Sequence, residues 1–170
     1  MITGENAARL RTIALVVALV APALLAGCTS VTLDPAPPGM VPWIGTVPTT
    51  QRVIFITIDD GYDQDPAVPA VLKAANVKLT MFLTDNAISR YLPYFQGLAK
   101  LGSAVGSHAV THVQLKDQPY EYQKQQLCDS RVWLGQHLGT PPTLFRPPYG
   151  QYDDNTLKAG FDCGYKVYIG

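Results

Sequence analysis

Three short segments carry side chains whose types and spacing suit a hydrolysis. Thr57-Ile58-Asp59-Asp60-Gly61 offers two adjacent carboxylates. His108-Ala109-Val110-Thr111-His112 places two of the chain's three histidines four residues apart. Arg146-Pro147-Pro148-Tyr149-Gly150 sets a guanidinium beside a stiff, proline-paired turn. Two imidazoles and a carboxylate fill three positions of a divalent ion and leave others open, as a catalytic centre requires. Such an ion acidifies a bound water and polarises a carbonyl. The second carboxylate is then free to take a proton as general base. The same ligand set also matches the facial triad of mononuclear iron oxygenases. Each segment has a plain reading too. Asp-Asp-Gly is a common turn or helix cap, a lone His-x3-His is often a surface coincidence, Arg146 alone reads as a surface charge, and Pro-Pro stiffens loops.

What decides between these readings is where the segments fall relative to the elements around them. Arg52–Ile58 is a continuous apolar, β-branched run, expected as a strand buried on both faces. Further strands are expected at Val77–Leu83, Ser103–Ser107, Thr143–Phe145 and Tyr165–Ile169. Between them lie four expected helices. The first runs from an Asp65 cap and Pro66 to Asn76. The second covers Ala87–Leu101, is interrupted at Pro93 and stops at Gly102. The third, Pro119–Leu138, puts Leu127, Leu134 and Leu138 on one stripe, and the fourth covers Asp153–Ala159. This alternation predicts parallel strands covered by helices, in a barrel or a doubly wound sheet. Both architectures gather chemistry at the carboxyl ends of the strands. The three segments follow the first, third and fourth strands, so one site is a simpler account than three coincidences. The alternation also disfavours the all-β scaffolds associated with the iron oxygenases.

Together the three motifs resemble those of the polysaccharide deacetylases with a NodB homology domain, carbohydrate esterase family 4, over Arg52–Gly170. The resemblance implies an α/β fold, a distorted (β/α) barrel of the NodB type. It also implies removal of N-acetyl or O-acetyl groups from a polysaccharide such as peptidoglycan or chitin with a divalent ion, zinc first and cobalt also suited. By the same resemblance Asp59 is the general base, and Asp60, His108 and His112 are the metal ligands. Arg146 orients Asp59, the Tyr149 backbone N–H faces the developing oxyanion, and Pro147 and Pro148 belong to the substrate groove. Two departures stand out. Ile58 replaces Phe, and Ala109 replaces a Ser or Thr whose hydroxyl would brace the metal loop, with Thr111 as a substitute. The family's later motifs, including the histidine assigned as general acid, lie beyond the third motif, and His137 precedes it. Five strands fall short of the roughly eight of a closed barrel, which would leave Tyr165–Ile169 as an apolar edge. The expectation is therefore a partial barrel from a truncated chain. The competing reading is a non-catalytic, glycan-binding surface lipoprotein that keeps the metal and the groove without the acid.

The N-terminus predicts where the protein works. Arg9 and Arg11 precede the apolar run Thr12–Leu24, which Pro22 interrupts and which is too short to span a bilayer core comfortably. The run ends in Leu25-Ala26-Gly27-Cys28, which resembles the bacterial lipoprotein lipobox. An ordinary cleavage site with an incidental cysteine is the alternative. The resemblance implies a signal peptide over 1–27, lipid attachment at Cys28 and an exported, membrane-anchored protein. Five prolines (Pro35, Pro37, Pro38, Pro42 and Pro48) make 28–51 read as a spacer, leaving 52–170 as the folded domain. Outside the cytoplasm, Cys128 and Cys163 are expected to form a disulfide. Thirteen basic against thirteen acidic residues argue against a nucleic-acid partner. A 47% hydrophobic share argues against intrinsic disorder.

Overall fold

The computed structural model describes residues 36–47 and 49–170; the expected signal segment and Cys28 lie outside the described residues. Among the described residues six strands and five helices follow one another as β1 (Trp43–Ile44), β2 (Thr57–Asp60), α1 (Val68–Ala75), β3 (Thr80–Leu83), α2 (Asp85–Ile88), α3 (Leu92–Lys100), β4 (Ala104–Ser107), α4 (Tyr120–Leu138), β5 (Leu144–Phe145), α5 (Asp154–Asp162) and β6 (Val167–Ile169). A 3-10 turn, Pro148–Gly150, follows β5. All six strands are parallel in one sheet of order β1-β6-β5-β4-β3-β2. The carboxyl ends of β2, β4 and β5 therefore share one side.

The sheet curls. Three neighbouring spacings separate β2 from β5, about 14 Å if the sheet were flat. Yet Arg146, just past β5, reaches Asp59 of β2 at 2.8 Å. Curling folds the lumen-facing side chains inward, which makes this a barrel wall left open between β1 and β2 among the described residues. Outside the wall, Leu72 of α1, Phe95 and Leu98 of α3 and Leu134 of α4 pack with Met81, Leu83 and Ile88. A second cluster joins Val41, Leu115, Leu127, Phe145, Ala159, Tyr165 and Tyr168 under α4 and α5. Helix α4 serves both clusters and so fixes the strands that carry the chemistry. Cys128 of α4 and Cys163 at the end of α5 are joined by a disulfide.

Local punctuation sets the element ends. Pro93 opens α3, as a residue without an N–H does at a helix start. Asn76 takes the left-handed conformation that ends α1. Asp153 and Thr156 form a reciprocal capping box on α5. Asp65 accepts from the Ala67 N–H and closes a turn, so α1 begins at Val68 rather than at the expected Asp65.

Three expectations are corrected. The run expected as a doubly buried strand pairs as β2 only from Thr57; Ile54 and Phe55 are 88% and 67% exposed. As an edge strand β2 has one neighbour, and no element covers the run before it among the described residues. Part of the expected spacer belongs to the fold, because Val41 is buried and β1 pairs with β6. Prolines stiffen that segment, and Val41 and β1 anchor it. Consequently Tyr165–Ile169 is not an edge: β6 lies between β1 and β5. No described helix is long and apolar enough to cross a membrane.

Candidate metal centre and catalytic carboxylate

The strand ends deliver Asp60, His108 and His112 to one point, with their ligand atoms within 4.8 Å of one another. Asp60 Oδ1 lies 3.3 Å from His108 Nε2 and 3.0 Å from His112 Nε2. The protonation of His108 shows what belongs between them. Its Nδ1 lies 2.5 Å from the Arg146 carbonyl, which can only accept, so Nδ1 carries the ring proton. Burial holds the pKa of His108 below the ordinary histidine value, against the bond to Arg146 O and the charges of Asp59 and Asp60. The ring is thus neutral near pH 7, and Nε2 presents a lone pair to a buried carboxylate oxygen that has no hydrogen bond. Two facing acceptors at this distance repel unless a cation lies between them. Nitrogen and oxygen ligands about 2.0–2.1 Å from a tetrahedral ion stand about 3.3 Å apart, so these residues fit a divalent metal.

Beside the triad stands the second carboxylate. Arg146 Nη1 donates to Asp59 Oδ1 at 2.8 Å and to Thr57 Oγ1 at 3.1 Å. Its Nε reaches the Ile169 carbonyl at 3.4 Å, and its guanidinium lies 4.3 Å from the Phe82 ring centroid. One oxygen of Asp59 is thereby fixed and Oδ2 is left for proton transfer. The Tyr149 ring meets His112 edge-on at 4.8 Å, and its side chain is exposed. Pro147 and Pro148 are both buried. They shape the turn that carries Tyr149. His137 lies outside the cluster, stacked on Trp133 with Nδ1 bonded to the Trp133 carbonyl.

Backbone strain concentrates here. Asp60, Ala109, His112 and Tyr149 have φ of 66°, 66°, 56° and 60°, a region that side chains other than glycine seldom adopt. Gly61 follows at φ 93°, where a Cβ would stand 2.3 Å from Ile88. The metal loop needs support, and polar groups from two other elements provide it. Thr84 Oγ1 donates to the His108 carbonyl at 3.1 Å, and Thr111 gives both its N–H and its hydroxyl to Gln126 Oε1 at 3.1 Å. Thr111 therefore does brace the loop, and Thr84, Gln126 and Ser107, whose Oγ accepts from the Ala109 N–H at 3.2 Å, join it. Those three were missed in the motif reading. The available signal was α4 itself, whose buried face includes Gln123, Gln126 and Ser130 where an apolar stripe is expected.

A curled parallel sheet with a His-His-Asp cluster and an arginine-held carboxylate at its carboxyl ends defines an α/β protein with a candidate metal centre. The chain belongs to the polysaccharide deacetylase family, whose model matches residues 46–168. It is 34% identical over 131 residues to an uncharacterised protein of Streptomyces coelicolor, covering 75% of this chain and 51% of that protein. It is 27% identical over 135 residues to a peptidoglycan-N-acetylglucosamine deacetylase of Bacillus cereus, covering 78% and 62% respectively. A solved peptidoglycan N-acetylglucosamine deacetylase in complex with 4-naphthalen-1-yl-N-oxidanyl-benzamide superposes with a TM-score of 0.69 at 25% identity, over 75% of this chain and 60% of that one. The chain spans between 24% and 62% of the length of the curated relatives it matches.

Proposed function

We propose that this protein is a metal-dependent deacetylase that removes N-acetyl groups from a polysaccharide, with peptidoglycan N-acetylglucosamine as the foremost substrate. The observation that carries this reading is the unpartnered, buried Asp60 Oδ1 facing two imidazole nitrogens beside an arginine-held carboxylate. Asp60, His108 and His112 would hold a divalent ion, zinc first and cobalt also suited. Bound there, that ion supplies Lewis acidity to the acetyl carbonyl and to a water. The chain's own residues do the rest. His108 is kept neutral and oriented by its bond to the Arg146 carbonyl, an outer contact of the kind that fixes a ligating histidine. Asp59, pinned at Oδ1, takes the proton of the attacking water on its other oxygen. The Tyr149 N–H, in a residue turned to positive φ, is the donor offered to the developing oxyanion. The proton that Asp59 takes is the one the departing amine must receive. Amide hydrolysis of an acetylated sugar is thus balanced by one water.

We further read the protein as exported and anchored to the membrane through a lipid on Cys28, which would place the site beside cell-wall glycan. Acetate release from an N-acetylglucosamine oligomer and from peptidoglycan tests the function. Release should stop with a chelator and with Asp59→Asn. A chain that binds the metal but frees no acetate from any acetylated glycan would instead be a glycan-binding protein.

A further inference from the structure

Behind the metal loop runs a line of buried polar side chains that the hydrolysis does not use. The Ser130 hydroxyl donates to Asp85 Oδ1 at 2.8 Å. A hydroxyl has one proton, so the 2.8 Å contact between the Ser107 and Ser130 hydroxyls is donated by Ser107. Ser107 Oγ in turn accepts from the Ala109 N–H at 3.2 Å. The direction is therefore fixed: Ala109 N–H to Ser107, to Ser130, to the Asp85 carboxylate. All four residues are buried. The line is largely shielded from water, and each bond polarises the next toward a charged end.

The Ala109 peptide at the head of this line sits next to His108 and three residues before His112, and its φ is one that alanine disfavours. The segment carrying Asp85 grips it from the other side as well. Asp85 N–H bonds the Ala109 carbonyl at 3.4 Å, and Asn86 N–H bonds the Val110 carbonyl at 3.1 Å. We propose that Asp85 is a positioning residue for the metal centre. Through Ser130 and Ser107 its carboxylate holds the Ala109 peptide in the turn that aims His108 and His112 at one ion. Burial raises the pKa of Asp85, and the neighbouring Asp129 adds to this against the Ser130 bond and His137. A carboxylate kept at a cost to its own ionisation suits a role in the site better than one in stability.

This rests on Asp60, His108 and His112 being a metal centre, so the test reads metal directly. The full chain and its variants are titrated with Co²⁺ and followed by absorbance, and the metal-free forms are melted by circular dichroism. Asp85→Asn should weaken Co²⁺ binding about 10-fold, the lower end of what outer contacts contribute, while unfolding no earlier than the parent. Ser130→Ala should weaken it to a similar degree, and the double variant no further than either single one. Asp129→Asn removes a nearby charge outside the line and should leave the affinity unchanged. Equal affinities of Asp85→Asn and the parent overturn the proposal, as does an equal loss in Asp129→Asn, which would mean charge acting through space. If Ser130→Ala does not fold, the comparison of Asp85→Asn with Asp129→Asn decides alone. A parent that takes no Co²⁺ sinks the metal reading itself, and the proposal with it.

Discussion

Arg146→Lys separates the two jobs that one residue performs. The Arg146 carbonyl holds His108, whereas its side chain holds Asp59, Thr57 and Ile169 and lies over Phe82. Lysine keeps the charge and the carbonyl but loses the planar fork. A single ammonium can satisfy one of the three acceptors well, so two hydrogen bonds are lost at about 1 kcal/mol each. The ion pair itself adds little, because Asp59 is 38% exposed and solvent screens it. The chain should therefore unfold about 2 kcal/mol more easily. Catalysis should suffer more than stability. A base freed to drift by about 1 Å costs on the order of 100-fold in rate, seen in kcat for acetate release. Co²⁺ affinity, which depends on the carbonyl, should stay within about threefold, less than 1 kcal/mol. In an Asp59→Asn background the lysine substitution should cost almost nothing more, since the base it orients is gone. Undiminished kcat in Arg146→Lys, or a parallel loss of metal affinity, would refute the division of labour drawn here.

Other outcomes follow from the same geometry. Replacing Cys128 and Cys163 by serine opens a loop spanning 35 residues and should cost about 3.8 kcal/mol on the loop-entropy model. That lowers Tm by roughly 10–15 °C for a domain of this size, and unchanged melting of the double variant would show that α4 and α5 are held by packing alone. Zinc at 100 times its Kd should stabilise the chain by about 2.7 kcal/mol. Asp60→Asn should abolish both that shift and acetate release, as calorimetry and an acetate assay would show. The pKa of Asp85 is raised by burial to about 6 from 3.8, so its contribution is fully present below pH 3.8 and is lost as pH rises through 6. Between pH 4 and 7 the parent should therefore lose up to about 3 kcal/mol relative to Asp85→Asn. Melts of the two at both pH values measure this, and parallel stability curves would contradict it.

How far the sequence carried follows from which interactions are local. Asp59-Asp60, the two histidines and Arg146 were legible because each motif is a contiguous run with its reactive atoms on display. The strand and helix alternation then put the three motifs on one side of a sheet. Helix punctuation was equally local: Pro93, Asn76 and Gly102 act through their own backbone angles. The run Val53–Ile56 misled because apolarity records a preference for burial, not the presence of a cover. Val41 misled in the opposite sense, since prolines around a residue say nothing of a pocket formed by Phe145 and Ala159 far along the chain. The support of the metal loop was hidden for the same reason. Asp85 and Ser130 stand 45 residues apart, and Ser107 and Ser130 stand 23 apart. Neither pairing has a local signature. The substitution at Ala109 shows what this conceals. A missing hydroxyl reads as a weakened site when only the motif is considered. In the fold, the Ala109 side chain is buried, its N–H is held by Ser107 and its carbonyl by Asp85. The bracing has been moved to the elements on either side, so the loop's geometry depends on residues that no motif contains.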